Sequence, residues 1–510
     1  MDKKRYIGIT IGPIFETMSL TSSPAALWTA SYMFSLLSRC LCEVLTEHEC
    51  YGVSEKDIIS PFYEKAEPLL SRNDGVGLFH DRIIFTANGF DIKRQFTQVR
   101  DEAVSRVAQA LAIDFDELRK YIMVSAVEFE SDSPLIDSGR IFDSIELAKP
   151  FVAQESENPI LALFTGDGNS KNSTVKEIPA ITSLAQFQLR AENGKGLKDI
   201  ESIVSTCKGF KKSNYYALVR SDADNMGAVI GSLDNDTDRR SFSKECLAYC
   251  ADVADAVKEY GGVTIYSGGD DLLAILPCES VESETIFGFL VKANEVFNKH
   301  FGAESELGKK LEEAKKKKSD ASEQKSPSLS FGITIAYRKF PLYEALDDSA
   351  ALLFGVAKKD TKNRVAVRLQ KHSGQSEGLV ISNKELIYMD SMLDGIIKGI
   401  ESQKTDDKIF LSALHKLALF EKSFDNAQEK AEIENLFKNT FDGPEHKDNT
   451  FLLVKLPELL LKLREGAGIY PLDNNGIAYD KPSMTMQYVL RMFKFFVEKA
   501  SAEDKQKEDN

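Results

Sequence analysis

The chain has 510 residues, 43% of them hydrophobic and 28% charged, and its 64 Lys and Arg against 79 Asp and Glu leave a formal net charge of −15. That length accommodates about three or four domains with their own cores, and the acidic balance predicts weak nonspecific nucleic-acid binding by this chain alone, because such binding needs Lys and Arg against phosphates; local basic patches or partner subunits could still supply it. No apolar run reaches a membrane span, the start Met1–Thr10 leads into a strand rather than a signal peptide, and seven cysteines, an odd number with no CxxC pair, fit a reducing cytoplasm better than a disulfide framework or a zinc site.

In chain order, residues 4–12 read as a strand and Ala25 to Leu45 as a helix, with Trp28, Tyr32, Phe34, Leu37 and Leu41 on its apolar faces. Gly75 to Phe85 is a glycine turn feeding a β-branched strand, residues 92–122 are helical in pattern, and 124–129 form another strand. This succession follows the βαββαβ logic of a ferredoxin-like domain. His80-Asp81 is an adjacent His-Asp pair of the kind that binds metal in phosphohydrolases. The other histidines are scattered, so it reads as a turn before a strand.

Residues 131–212 are mixed, with a polar loop at Gly166–Ser173 and a segment from Glu177 to Ala185 leading into a connector. A second strand–helix–strand cycle then begins. Residues 216–219 are a strand, 242–260 a helix, 263–266 and 272–276 strands around a glycine turn, 281–300 a helix, 328–337 a strand, 342–359 a helix and 364–369 a strand. The two cycles look like a divergent duplication. The Lys-rich stretch 307–326 reads as a solvated helix end or loop rather than an RNA site. Ser373–Gly378 has the composition of a hinge, and 383–500 shows almost only helical periodicity. The expected fold is therefore a multidomain α+β chain. It comprises a first ferredoxin-like palm domain without acidic motif at 1–130, a connector domain at 131–212, a second palm carrying the acids at 213–375, a C-terminal α-helical domain at 376–500, and a disordered tail at 501–510.

The chemistry concentrates in the second cycle. Ile265-Tyr-Ser-Gly-Gly-Asp-Asp-Leu-Leu-Ala274 places two glycines and then two carboxylates between apolar strand residues, and Leu218-Val-Arg-Ser-Asp-Ala-Asp-Asn-Met-Gly227 is a second acidic strand end. Nucleotidyl transfer needs a hydroxyl made nucleophilic and an α-phosphate relieved of charge, which two divalent ions achieve together. Mg²⁺ or Mn²⁺ takes carboxylate oxygens, phosphates and water, so Asp222, Asp270 and Asp271 are the candidate metal ligands and catalytic residues. Gly268 and Gly269 let the backbone turn tightly against a nucleotide. Asn225 and Gly227 open the next helix, where backbone amides face outward, and Lys358 and Lys362, at the end of the 342–359 helix, are candidates for gripping a triphosphate.

These residues resemble the large polymerase-like subunit of type III-B CRISPR effector complexes, the Cmr large subunit. The resemblance rests on Tyr215–Gly227, Gly261–Pro277, Ser330–Ala336, Ala357-Lys358 and Lys371–Gln375 in the second palm. In the first palm and connector it rests on Ile11–Ile14, Leu27–Tyr32, Asp81-Arg82 and Glu177–Ile181. It implies an assembly with other Cmr subunits, crRNA and target RNA, in which RNA binding switches on synthesis of a second messenger from ATP. By position, Asp222 and Asp270 would hold metal with Asp271 beside them, Ser267, Gly268 and Gly269 would line the nucleotide, and Lys358 would touch the triphosphate. Many members begin with an HD nuclease domain. This chain starts at the first palm strand, so nuclease activity is expected to be absent, and no zinc module appears. The charged turn usual before the first-palm tryptophan is here Thr21-Ser-Ser-Pro-Ala-Ala26, which hints that the acceptor is not a triphosphate and favours S-adenosylmethionine joined to AMP. The alternatives are a cyclic oligoadenylate synthase, a scaffold with a vestigial palm, and a stand-alone cyclase. Contact with a membrane is not expected.

Overall fold

The computed structural model describes residues 3–148 and 211–498, apart from 20, 22–23, 72–75, 112, 281, 318–325, 360, 402–408, 444–445, 447–448, 474–475 and 478–480. Most of the expected connector, with its loop at Gly166–Ser173, and the C-terminal tail lie outside the described residues.

The first palm runs β1 (Lys4–Gly12), α1 (Ile14–Ser19), α2 (Pro24–Glu47), β2 (Ile58–Ser60), β3 (Arg82–Thr86), α3 (Ile92–Leu111), α4 (Phe115–Tyr121), β4 (Met123–Ser131) and α5 (Pro134–Ala148). Its sheet order is β2-β3-β1-β4, and β1 is antiparallel to both β3 and β4. The helical pattern at 92–122 is two helices, because Asp114 caps the second: its carboxylate accepts from the amides of Asp116 at 2.9 Å and Glu117 at 3.1 Å.

The second palm repeats the plan: β5 (Tyr215–Asp224), α6 (Met226–Ile230), α7 (Asp236–Tyr260), β6 (Val263–Gly268), β7 (Asp271–Pro277), α8 (Ile286–Phe301), α9 (Glu306–Lys317) and β8 (Ser328–Tyr337). Its first four strands stand in the order β8-β5-β7-β6, the same arrangement as in the first sheet, so the duplication is visible in topology. Strand β5 pairs antiparallel with β8 along its whole length, from Tyr215 opposite Tyr337 to Asp224 opposite Ser328, and with β7 on its other edge. It therefore runs past the expected end at Val219 and carries both Asp222 and Asp224.

Three sequence expectations change here. After α10 (Leu342–Ala350) the chain continues as a π-helix over Ala351–Ala357 rather than as one α-helix. Ser373–Gly378 is not a hinge: it contains the turn between β9 (Arg364–Gln370) and β10 (Ser376–Ser382), which pair antiparallel. Strand β9 lies parallel to β8, and β10, β11 (Ile469–Asp473) and β12 (Gly476–Ile477) extend this sheet to eight strands. Strands β11 and β12 interrupt the helices expected after residue 383. These helices are α11 (Leu386–Glu401), α12 (Ile409–Leu419), α13 (Glu421–Asn426), α14 (Lys430–Thr440), α15 (Leu456–Arg464) and α16 (Pro482–Val497).

One continuous apolar core joins both palms and the C-terminal helices, with Trp28, Tyr216, Phe297 and Phe493 fully buried. The palms are fastened by Arg240 of α7. Its guanidinium donates to the carbonyls of Glu55, Ile58 and Tyr63 at 2.5–2.8 Å and to the Glu64 carboxylate at 2.9 Å, and it lies 4.5 Å from the ring centre of Phe62. No described helix is long and apolar enough to cross a membrane.

Candidate active site

Asp222 and Asp224 alternate along β5 and so share a face of the sheet. Asp224 is fully buried. One carboxylate oxygen accepts from the hydroxyls of Ser328 at 2.9 Å and Ser330 at 2.7 Å and from the Asn363 amide at 2.9 Å. Its other oxygen, Oδ1, has no hydrogen-bond partner. Asp222 is nearer the surface and is gripped by the Lys358 ammonium, which donates to Oδ1 at 2.6 Å and also to Oδ2. Lys358 further donates to the Ala223 carbonyl at 2.8 Å.

The glycine turn sits at the tip of β6 and β7, where Gly268 pairs with Asp271. Gly269 has φ +72°, which favours glycine. A Cβ on Gly268 would meet the Tyr266 hydroxyl at 2.5 Å. A register shift between Thr264 and Tyr266 bends the hairpin beside the acids. The turn is tied to α7: the Cys250 thiol donates to the Gly269 carbonyl at 3.4 Å, and the Ser267 hydroxyl donates to the Cys250 carbonyl at 3.1 Å. Ser267 is thus turned inward and lines neither neighbouring cavity, contrary to the expectation that it would line the nucleotide. Its hydroxyl is occupied in holding the turn.

Asp270 is half-buried and Asp271 reaches solvent, and both line the same cavity. Desolvation, then the Asp222 charge, push Asp270 up to about 7. Desolvation and the charges of Asp270 and Asp222 raise Asp271 as well. Desolvation also raises Asp222, with Lys358 opposing it. The three acids therefore repel one another and call for added positive charge.

Two cavities meet at the hairpin. The larger, about 450 Å³, is bounded by α6 and α7 through Met226, Phe242 and Cys246, with Gly268, Gly269, Asp270 and Asp271 on its rim. The smaller, about 240 Å³, is bounded by α1 and α2 through Met18, Ser31 and Phe34, with Arg220 and Phe354 from the second palm. Each cavity uses the helix pair that follows the first strand of its own palm. Asp81, Tyr266 and Asp271 line both. Asp81 directly precedes β3 as Asp270 directly precedes β7, so the first palm does place an acid at the equivalent position. The His80-Asp81 pair was visible in sequence, but its setting was not. Burial pushes the His80 imidazole down to about 4, and its Nε2 lies 2.9 Å from the Ser60 hydroxyl.

The remaining candidates are less central. Asn225 has φ +62° at the start of α6, a helix of only five residues. Its amide donates to the Ser326 carbonyl at 3.1 Å and accepts from Lys362 at 3.4 Å. Neither Asn225 nor Lys362 lines the two cavities. Lys371–Gln375 lies at the far end of the sheet and borders a separate cavity of about 460 Å³ with Arg491 and Phe495.

A divalent ion fits this donor set in kind. Hard carboxylate oxygens on adjoining strands suit Mg²⁺ or Mn²⁺, and the unpartnered Asp224 Oδ1 is a further oxygen beside them. Among the described residues, no three His, Cys, Asp or Glu side chains are already gathered at ligating distance.

Two ferredoxin-like sheets, each with its edge strand against a helix of the other palm and the second carrying a Gly-Gly-Asp-Asp hairpin, define a palm-type protein. Residues 215–366 match the family model for the Cas10/Cmr2 second palm domain. The CRISPR system Cmr subunit Cmr2 of Pyrococcus furiosus is 30% identical over a segment covering 31% of this chain and 19% of that relative. Among solved structures, the type III-B Cmr-beta complex in its apo state aligns with a TM-score of 0.57 at 12% identity, covering 97% of this chain and 82% of the other. The Csm1–Csm4 cassette in complex with one ATP aligns with a TM-score of 0.53 at 14% identity, covering 97% and 70%. At these identities the structural matches show a shared fold. Residues 215–366 are thus similar to the second palm of the Cas10/Cmr2 large subunits of type III CRISPR systems, and the matched segment spans about a fifth of the Pyrococcus relative's length.

Proposed function

We propose that this chain is the target-RNA-activated nucleotidyltransferase subunit of a type III-B CRISPR complex, assembled with other Cmr subunits and crRNA and making an ATP-derived second messenger. The observation that carries this reading is the Gly-Gly-Asp-Asp hairpin at the meeting of two cavities from two palms, Asp271 lining both and Asp270 the larger, with the charge of Asp222 on the neighbouring strand felt at Asp270. The larger cavity takes the donor ATP, its base against Met226 and Phe242 and its phosphates toward the glycine turn and Lys358. The smaller takes the acceptor. Asp222, Asp270 and Asp271 would hold Mg²⁺ or Mn²⁺, which supplies Lewis-acid activation of the α-phosphate and lowers the acidity barrier of the acceptor hydroxyl. The acceptor oxygen bonds to the α-phosphorus, the bond to the β-phosphate oxygen breaks, pyrophosphate leaves, and the hydroxyl proton passes to solvent. Solved structures of related fold include a Csm1–Csm4 cassette with pppApApA and a type III-B Cmr-beta with cognate target RNA, which supports nucleotide and RNA handling here.

S-adenosylmethionine is the acceptor we favour. The smaller cavity has mostly apolar walls and two carboxylates, Asp81 and Asp271, against one guanidinium, Arg220, whose Nε is buried without a partner. That balance suits a cationic or zwitterionic acceptor better than a polyphosphate. Cyclic oligoadenylate synthesis is the second reading, favoured by the Csm1–Csm4 cassette solved with cA4. The test incubates the assembled complex with target RNA, Mg²⁺ and radiolabelled ATP, with and without S-adenosylmethionine. A product seen only with S-adenosylmethionine supports the conjugating enzyme, and oligoadenylates in both lanes support the cyclic product. No product in either lane leaves a scaffold.

A further inference from the structure

We propose that Lys358 is a resident counter-cation that occupies the metal seat of the second palm until a triphosphate draws its ammonium away, so that nucleotide and divalent-ion binding are coupled through this one side chain. The inference rests on the reading of Asp222, Asp270 and Asp271 as metal ligands.

The Lys358 ammonium has three protons, and its three donor contacts are Asp222 Oδ1, Asp222 Oδ2 and the Ala223 carbonyl. It also stands 3.6 Å from Asp224 Oδ1, the buried oxygen with no hydrogen-bond partner. Two oxygens of one carboxylate, a backbone carbonyl and a second carboxylate around one point make the oxygen-only set that a hard divalent ion takes. An ammonium and a divalent ion cannot share that point, since their repulsion is poorly screened in a cleft. Asp222 is held by Lys358, while Asp270 and Asp271 stand on the turn between β6 and β7.

The Lys358 amide is tied back to the preceding π-helix, so we take release to be a side-chain rotation. Lys358 directly follows the π-helix, and its amide donates to the Leu353 carbonyl at 2.9 Å; π-turns of this kind recur at functional sites. Downstream, Lys362 and Asn363 both have positive φ, 57° and 53°, an uncommon conformation for these residues. Asn363 is pinned there by its amide on Asp224 Oδ2 at 2.9 Å and by its side-chain oxygen on Asn383 at 2.8 Å. A triphosphate entering past the glycine turn offers an anion of higher charge than Asp222. The ammonium that pairs with it vacates Asp222 for the ion that the triphosphate brings.

The test is Mn²⁺ binding to the purified full chain by electron paramagnetic resonance, with and without a non-hydrolysable ATP analogue. For the natural protein, Mn²⁺ alone binds weakly and the analogue tightens it by about tenfold or more, within the usual range of coupling between sites. Lys358→Met keeps the aliphatic stem and removes the charge: Mn²⁺ alone then binds about tenfold more tightly, and the analogue adds little. Lys358→Arg keeps a competing cation and retains weak Mn²⁺ binding, and a thermal melt of each variant checks that it is folded. If folded Lys358→Met binds Mn²⁺ no tighter than the natural chain while Asp222→Asn abolishes binding, the metal site stands and the lock is overturned. If Mn²⁺ fails to bind every form even with the analogue, the metal reading falls and takes the lock with it.

Discussion

Gly332 and Ser349 approach so closely that a Cβ on the glycine would stand 2.2 Å from the serine carbonyl oxygen and 2.5 Å from the Leu353 amide nitrogen. The missing side chain lets α10 and the π-helix lie directly on β8, and that seating delivers Lys358 to the end of β5. Gly332→Ala is expected to lower stability by about 1–3 kcal/mol, the usual cost of forcing atoms into a packed core, and to weaken nucleotide binding by displacing Lys358. Gly355 is the control. It lies in the same π-helix with nothing within 4 Å of an added Cβ, so Gly355→Ala should not destabilise and should gain up to about 1 kcal/mol from helix propensity. Urea unfolding of both variants, with nucleotide titration, measures the contrast.

The two acids of β5 divide their work. Asp224 is buried and satisfies two hydroxyls and an amide, whereas Asp222 is partly exposed and held by the Lys358 ammonium. Asp224→Ala should cost about 2–3 kcal/mol in urea unfolding, because it strands buried donors. Asp222→Asn should fold with nearly unchanged stability yet lose Mn²⁺ binding and product formation. Equal destabilisation by both variants would erase this distinction.

Much of the second palm was readable because its signals are local. A largely apolar run from Tyr215 to Val219 leading to Ser221-Asp222-Ala223-Asp224, and glycines followed by acids between apolar strands, mark strand ends and a turn without knowledge of neighbours. The ferredoxin-like order followed from alternating strand and helix patterns, and the strand orders of both sheets match it. What escaped depends on distant packing. Asp81 looked like a turn residue because its meaning comes from facing Tyr266 and Asp271, far along the chain. The π-helix shares its apolar residues with an ordinary helix. Strands β11 and β12 are short, and Pro471 disguises the first. Ser267 reads as part of the turn, but only the position of α7 shows that its hydroxyl faces inward.

The raised pKa of Asp270 has a consequence for stability. Its folded value of about 7 lies above the ordinary 3.8. Between these values the folded protein holds a proton that the unfolded chain has released, so stability falls as pH rises from about 4 to about 7 and then levels off. Asp270→Asn removes that dependence. In metal-free buffer with chelator, the variant should melt near the natural protein at pH 4 and above it at pH 8. Adding Mn²⁺ at pH 8 should raise the melting temperature of the natural protein only.

His300 carries an opposite kind of contact, an attraction between α8 and α7. Its Nδ1 lies 2.6 Å from Glu245 Oε1 and its Nε2 lies 3.0 Å from Asp252 Oδ2, while the ring is almost wholly buried. Burial disfavours the imidazolium, but the bonds to Glu245 and Asp252 outweigh it and leave the ring above its ordinary 6.5. A raised folded value means the contribution is complete below 6.5 and is lost as pH climbs through the folded value. His300→Gln keeps a polar group of similar reach but cannot take the charge. The melting-temperature gap between the natural protein and this variant should be widest near pH 6 and narrow steadily toward pH 9. Helix α7 also carries Cys250, whose thiol holds the Gly269 carbonyl. Loosening α7 in His300→Gln should therefore weaken ATP-analogue binding more at pH 6 than at pH 9. A gap that stays constant with pH would mean that His300 is neutral in the folded protein.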